Sequence, residues 1–174
     1  MAIGNLIQEA RERKQLTQEE LAERIPFTRG SVSHFERGSR ELNRDDYAIF
    51  CEGLDDARFT LELHRASTGG VYIPYLDGPK VDHHPASLTY LARKELKEAK
   101  EHITKINFSK PISVMEEFEL NHIERTVQEL LDAQAAAQTL VINLCSHLEI
   151  SFNDQVKRWI GSRTATGHIS RRNL

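Results

Sequence analysis

The sequence predicts an all-α protein with a five-helix N-terminal domain followed by a second helical domain. Three observations carry that expectation. Apolar residues recur at spacings of three and four through most of the chain. Helix-starting Thr, Ser and Asp residues stand before these runs, and Pro or Gly stands after them. Leu120 to Leu148 keep an unbroken alternation of three and four, the spacing of a heptad seam.

In the first element, Ile3, Leu6, Ile7, Ala10 and Lys14 share a face and Arg11 and Arg13 are assigned to the far side, with an end near Gln15. Thr17 with Glu20 reads as a capping box for a second helix that buries Leu21, Ala22 and Ile25 and stops at Pro26. Thr28 caps a third helix with a narrow buried edge, Val32 and Phe35, closed by Gly38. A fourth, from Asn43 or Arg44, buries Tyr47, Phe50, Cys51 and Leu54. In residues 56–66, Phe59, Leu61 and Leu63 alternate like a strand, but Asp55 or Asp56 as a cap and Gly69-Gly70 as a stop favour a helix.

These boundaries give a first domain over residues 1–68. Residues 69–86, with three prolines, read as an extended linker, and Asp82-His83-His84 within it as polar linker rather than a metal site. A charged helix then places Leu88, Ala92, Leu96, Ala99, Ile103 and Ile106 on one face. Pro111 breaks it, and Ser113 with Glu116 caps a longer one. The seam of that long helix is Leu120, Ile123, Val127, Leu130, Gln134, Ala137, Val141, Leu144 and Leu148, with a second stripe at Leu131, Ala135, Ile142 and Cys145. A lone helix cannot bury both stripes, so residues 87–160 are expected to form a helical oligomerisation domain. Gln134 is either a register device or a tolerated polar residue. Residues 161–174 are expected to be a basic flexible tail.

Hydrophobic residues at 39% and charged residues at 28% are ordinary for a globular chain, and no apolar run nears the roughly 18 residues that cross a bilayer. "MAIGNLIQEARERK" lacks the pattern of a secretory leader, so no membrane partner and a cytoplasmic location are expected. Cys51 and Cys145 lack metal-type spacing and read as reduced core residues, with no cofactor implied. The net charge of -3 is unevenly spread: residues 1–66 carry -3, 67–112 carry +2, 113–155 carry -7 and 156–174 carry +5. Any nucleic-acid interface in the first domain therefore depends on where its charges point.

The third helix suggests such an interface. It buries little and presents Arg29, Gly30, Ser31, Ser33 and His34, suited to a major groove: Arg29 can fork onto guanine, the serines and His34 reach base edges or phosphate, and Gly30 permits close approach. Thr17, Gln18 and Thr28 lie at helix starts that favour phosphate. Arg37, Arg40 and Arg44 follow, placed for flanking phosphates or a minor groove, with Glu19, Glu20 and Glu23 expected to face away.

"LTQEELAERIPFTRGSVSHFERGSR" closely resembles the helix-turn-helix of the XRE or lambda-repressor-like family through Thr17-Gln18, Leu21-Ala22, Thr28, Val32-Ser33, Glu36 and Gly38. The resemblance covers about residues 3–66. It implies a five-helix lambda-repressor-like DNA-binding domain, phosphate contact by Gln18, base reading by Arg29, Gly30, Ser31 and His34, and a partly buried ion pair between Arg11 and Glu36. Pro26 and Gly30 depart from the usual pattern. The expected function is a sequence-specific regulator, a repressor of the phage or mobile-element kind, binding double-stranded DNA as a homodimer or homotetramer. The alternative is an antitoxin-like module whose C-terminal helices hold a protein partner; an antirepressor is a further candidate partner. Enzymatic activity is not expected, because the helical residues 87–151 offer no Ser–Lys pair in a strand.

Overall fold

A computed structural model describes residues 2–170, and among them it contains helices and no strand. The helices are α1 (Ile3–Arg13), α2 (Gln18–Arg24), α3 (Arg29–Glu36), α4 (Tyr47–Leu54), α5 (Ala57–Ser67), α6 (Pro85–Thr104), α7 (Glu117–His147) and α8 (Phe152–Ala165). They divide into two units, one made of the residues up to Tyr72 with those from Cys145 onward, the other of Ile73–Leu144.

In the first unit, Leu6, Ile7 and Ala10 of α1 meet Leu21, Ile25, Val32, Phe35, Phe50, Leu54, Phe59 and Leu63 in one buried cluster. The half-buried Phe27 ring packs against it: Phe35 meets Phe27 edge-on at 5.3 Å, and Phe50 stacks on Phe27 at 5.7 Å. The stop signals act as expected. Ile25 turns extended ahead of Pro26, and Gly38, at φ 67°, takes the left-handed position after α3 while its N–H reaches the Phe35 carbonyl at 3.0 Å. Residues 57–67 are helical, with the Asp56 carboxylate accepting the Phe59 N–H at 2.6 Å. The strand-like alternation arises because α5 is buried on more than one side: Ala57 and Leu61 are buried outside the cluster that holds Phe59 and Leu63.

One glycine is fixed by packing. A Cβ on Gly4 would collide with the Phe35 and Glu36 carbonyls, so α1 crosses the end of α3 at backbone distance.

The C-terminal segment differs from expectation. Residues 152–165 form α8, within the first unit rather than the second domain or a flexible tail. Asn153 donates its backbone N–H to Asp55 at 3.1 Å and its side-chain amide to the Cys51 carbonyl at 3.0 Å, and Lys157 pairs with Glu52 at 3.0 Å. The Cys51 carbonyl, which already accepts the Asp55 N–H at 3.1 Å, thus takes a second donor at the end of α4. Residues 171–174 of the expected tail lie outside the described residues.

In the second unit α6 and α7 run antiparallel. His102 stacks on His122 at 5.3 Å, and the Glu95, Glu129 and Asp132 carboxylates lie within 4.8 Å of one another. The expected linker is packed, not free. Tyr75 is buried against the His83 ring at 5.4 Å, Thr139 accepts the Leu76 N–H at 3.1 Å, Gln138 donates to the Ile73 carbonyl at 3.2 Å, and Asn143 donates to the His83 carbonyl at 3.0 Å. The helix expected to start after Ser87 begins at Pro85, capped by His84. The Ser113 cap is replaced by a 3-10 turn over Ile112–Val114, and α7 starts at Glu117, where the Glu119 carboxylate accepts the Glu116 N–H at 2.8 Å.

Candidate nucleic-acid interface

Two short helices and the turn between them build the candidate surface. At the start of α2 the capping box is complete: Thr17 Oγ1 accepts the Glu20 N–H at 3.1 Å and the Glu20 carboxylate accepts the Thr17 N–H at 2.7 Å. At the start of α3, Thr28 Oγ1 accepts the Ser31 N–H at 3.2 Å and meets the Ser31 hydroxyl at 3.1 Å. Each cap satisfies one N–H of its helix's first turn, at the end where the helix dipole is positive.

In α3, Val32, Phe35 and Glu36 point inward and are buried, while Arg29, Gly30 and His34 are exposed and Ser31 and Ser33 half-exposed. A Cβ built on Gly30 meets nothing nearer than Thr28 Oγ1 at 3.8 Å, so nothing within the chain requires glycine there. His34 Nδ1 is held by the Ser39 hydroxyl at 2.9 Å, which fixes the ring and leaves Nε2 as its outer polar edge. Arg37 donates to the Ser33 carbonyl at 3.1 Å, and Arg40 lies over the Phe35 ring at 5.0 Å, which holds its guanidinium at the surface. Arg44 opens a 3-10 turn behind Asn43 and is exposed.

Beneath this surface, Arg11 grips Glu36 with Nε at 2.6 Å and Nη2 at 3.0 Å, and its Nη1 donates to the Leu16 carbonyl at 2.8 Å. Gln18 donates to the same carboxylate at 2.9 Å. One acid therefore ties α1, α2 and α3 together, and the bond to Glu36 raises the pKa of Arg11 further. Arg11 is thus turned inward, not on the far side of α1, because its partner 25 residues on draws it there. Arg13 is drawn the same way to Asp56, with N–O distances of 3.1 and 2.8 Å. Gln18 has one amide hydrogen engaged, leaving its backbone N–H and second amide hydrogen for an anion.

Two expectations are corrected. Glu19 does not face away: its carboxylate lies 3.9 Å from Arg29 Nε, both side chains being largely exposed. The seam of α7 ends at Leu144, since Leu148 lies past the last helical residue, His147. Within the seam, Leu120, Val127, Leu130, Gln134, Val141 and Leu144 are exposed and Ile123 and Ala137 half-buried. The buried face carries Thr126, Ala133, Ala136, Thr139 and Asn143 instead. Of the second stripe, Ala135 and Ile142 are buried, Cys145 is half-buried and Leu131 is 40% exposed. Both cysteines are free, and burial pushes each thiol up, away from thiolate reactivity. His83 and Asp82 are engaged locally: His83 Nε2 meets the Leu76 carbonyl at 2.8 Å and Asp82 accepts the His84 N–H at 3.0 Å.

The comparison with protein families bears on this geometry directly, for the model described as a helix-turn-helix domain matches residues 2–56. Residues 2–56 form a helix-turn-helix domain. The match spans α1 to α4 and is consistent with the XRE-like resemblance. No curated protein and no solved structure matches the chain. The helix-turn-helix domain supports a DNA-binding regulator, and among the described residues no helix is long and apolar enough to cross a membrane. Sequence reasoning missed Gly4 and Asn153; neither lies in a periodic pattern, and both act through backbone groups distant in sequence.

Proposed function

We propose that this chain is a sequence-specific transcriptional repressor that binds an inverted-repeat operator in the cytoplasm as a homo-oligomer. The observation that carries the reading is the division of α3 into a buried edge of Val32, Phe35 and Glu36 and a polar edge of Arg29, Gly30, Ser31, Ser33 and His34 free of core contacts. Arg29 is the base reader on this account. In free protein Glu19 shares its charge, and on DNA the guanidinium exchanges that exposed carboxylate for guanine O6 and N7. Thr17, Gln18 and Thr28 set the helix ends against phosphate, and Arg37, Arg40 and Arg44 contact the flanking backbone.

One such domain reads few base pairs, so the reading also requires two copies tied together. The exposed apolar face of α7 is where they meet. Two-fold pairing then sets the recognition helices about one DNA turn, roughly 34 Å, apart. The test is footprinting on DNA adjoining the chain's own gene, followed by binding measurements with Arg29→Ala. That variant is expected to lose about 1–3 kcal/mol on the footprinted site and little on random DNA. Equal loss on both would assign Arg29 to phosphate, and a footprint without an inverted repeat would overturn the paired reading.

A further inference from the structure

The long apolar residues of α7 point away from α6. Leu120, Val127, Leu130, Leu131, Val141 and Leu144 are between 37% and 48% exposed, while Thr126, Ala136 and Thr139 on the opposite side are at most 1% exposed. The exposed area of these six amounts to about 450 Å² in each copy, so two such faces with their polar flanks reach the roughly 1,000 Å² of a specific interface. A second copy of this chain is therefore large enough an occupant. We propose that α7 pairs with α7 of a second copy in antiparallel orientation, with Gln134 and Ala137 beside the two-fold axis. This rests on the reading of that face as the meeting place of two chains and adds its direction and register.

Two features select the direction. The first is thickness. An antiparallel pair centred between Gln134 and Ala137 sets Val127 against Leu144 and Leu130 against Val141, so each outer layer combines a long side chain with a short one. A parallel pair sets Val on Val, Leu on Leu and Ala137 on Ala137, alternately thick and thin. The second is charge. From Glu116 to Asp132 the acids are Glu116, Glu117, Glu119, Glu124, Glu129 and Asp132, against Arg125 alone, whereas residues 133–148 carry no acid and end near His147. Lys110 neutralises Glu119. Glu129 and Asp132 turn to Glu95 of α6, and Glu116, Glu117 and Glu124 would lie beside their own copies in a parallel pair, but beside the uncharged half of the partner in an antiparallel one. At the axis the small Ala137 leaves room for the Gln134 amides of the two copies to bond each other, giving the polar residue of the seam a register role.

The experiment uses the full chain with Cys51→Ser and Cys145→Ser as background. Val127→Cys and Leu144→Cys versions are made separately, then co-expressed with different tags and oxidised. Antiparallel pairing places position 127 next to position 144 of the other chain and about 25 Å from its own copy, at 1.5 Å per helical residue. A cross-linked dimer is therefore expected from the mixture and not from either version alone. Cross-linking of each version with itself would establish a parallel pair and overturn the proposal. So would a dimer by light scattering that no combination cross-links, or a monomer at all concentrations. Leu130→Asp, checked by circular dichroism for intact helix content, is expected to weaken dimerisation at least 100-fold. Operator binding is measured in parallel: mixed-pair cross-links with no DNA binding would leave this pairing standing and sink the repressor reading, and DNA binding without them would do the reverse.

Discussion

Arg11→Met is expected to be among the most damaging single substitutions in the first unit, although it removes a charged side chain and installs an apolar one. The Glu36 side chain is 3% exposed and that of Arg11 13% exposed. Three hydrogen bonds reach that carboxylate, two from Arg11 and one from Gln18. Without Arg11 the carboxylate keeps only the Gln18 amide and remains buried, and breaking a buried pair in this way costs about 3–5 kcal/mol. Against a total stability of about 5–15 kcal/mol, that is a large fraction. Arg11→Met with Glu36→Leu removes both charges and is expected to return to within about 1 kcal/mol of the parent. The double variant also releases Gln18, so its operator affinity should fall although its stability recovers. Urea unfolding followed by circular dichroism gives the stabilities, and titration of labelled operator gives the affinities. A cost below about 1 kcal/mol for Arg11→Met, or a double variant worse than the single, would refute the argument that this acid is the buried tie among three helices.

Gly30→Ala has opposite expected effects on fold and function: thermal unfolding should rise in step with a gain of about 0.5–1 kcal/mol, since the added Cβ meets open space, while operator affinity falls if the backbone approaches DNA closely. Unchanged affinity would remove Gly30 from the interface. Gly4→Ala should lower stability by about 1–3 kcal/mol, because its Cβ collides with carbonyl groups that cannot swing away, and a neutral result by urea unfolding would mean α1 can shift off α3. The Glu20 carboxyl is held below its ordinary value of 4.5 by the Thr17 N–H and hydroxyl, so its capping contribution is complete above that value and is lost as pH falls through the lower folded value. Carboxyl titration by NMR tests this, and a Glu20 midpoint at or above 4.5 would deny the box in solution.

The first unit was legible where its signals are local. Thr17, Thr28 and Asp56 cap helices through bonds to residues three positions on, and Pro26 and Gly38 end them through their own backbone preferences, so a short window holds the cause and the effect together. The polar edge of α3 was legible for the same reason: a helix with Val32 and Phe35 as its apolar residues can bury only one edge. Periodicity along α1 puts Arg11 on the far side because no window there contains Glu36, whereas the family resemblance implies the Arg11–Glu36 pair that the structure holds. Helix α8 was missed as part of the first unit because it is held by an amide on a carbonyl and by an exposed ion pair rather than by a deep apolar stripe, and Trp159 within it is 57% exposed.

The face of α7 shows why hydrophobicity alone misleads about what a helix buries within its own chain. Hydropathy favours burial of Leu and Val over Thr and Ala, yet Thr126, Ala133, Ala136 and Thr139 are enclosed and the leucines and valines are not. Enclosure here follows from close approach. Thr139 receives the Leu76 N–H, Thr126 satisfies its own hydroxyl on the His122 carbonyl, and the alanines leave space for the packed segment and for α6. A long leucine on that side would hold those backbones apart and break the bonds that satisfy them. With the inner face given to small residues, the large ones remain outward in a regular three-four repeat whose burial would be worth about 25 cal/mol per Å². A sequence that placed them there without a partner would carry an exposed stripe some 36 Å long from Leu120 to Leu144, at about 1.5 Å per residue, with nothing to offset its exposure. The regular spacing of that stripe, matched to the repeat by which helices pair, is the physical argument that its partner is another helix rather than solvent.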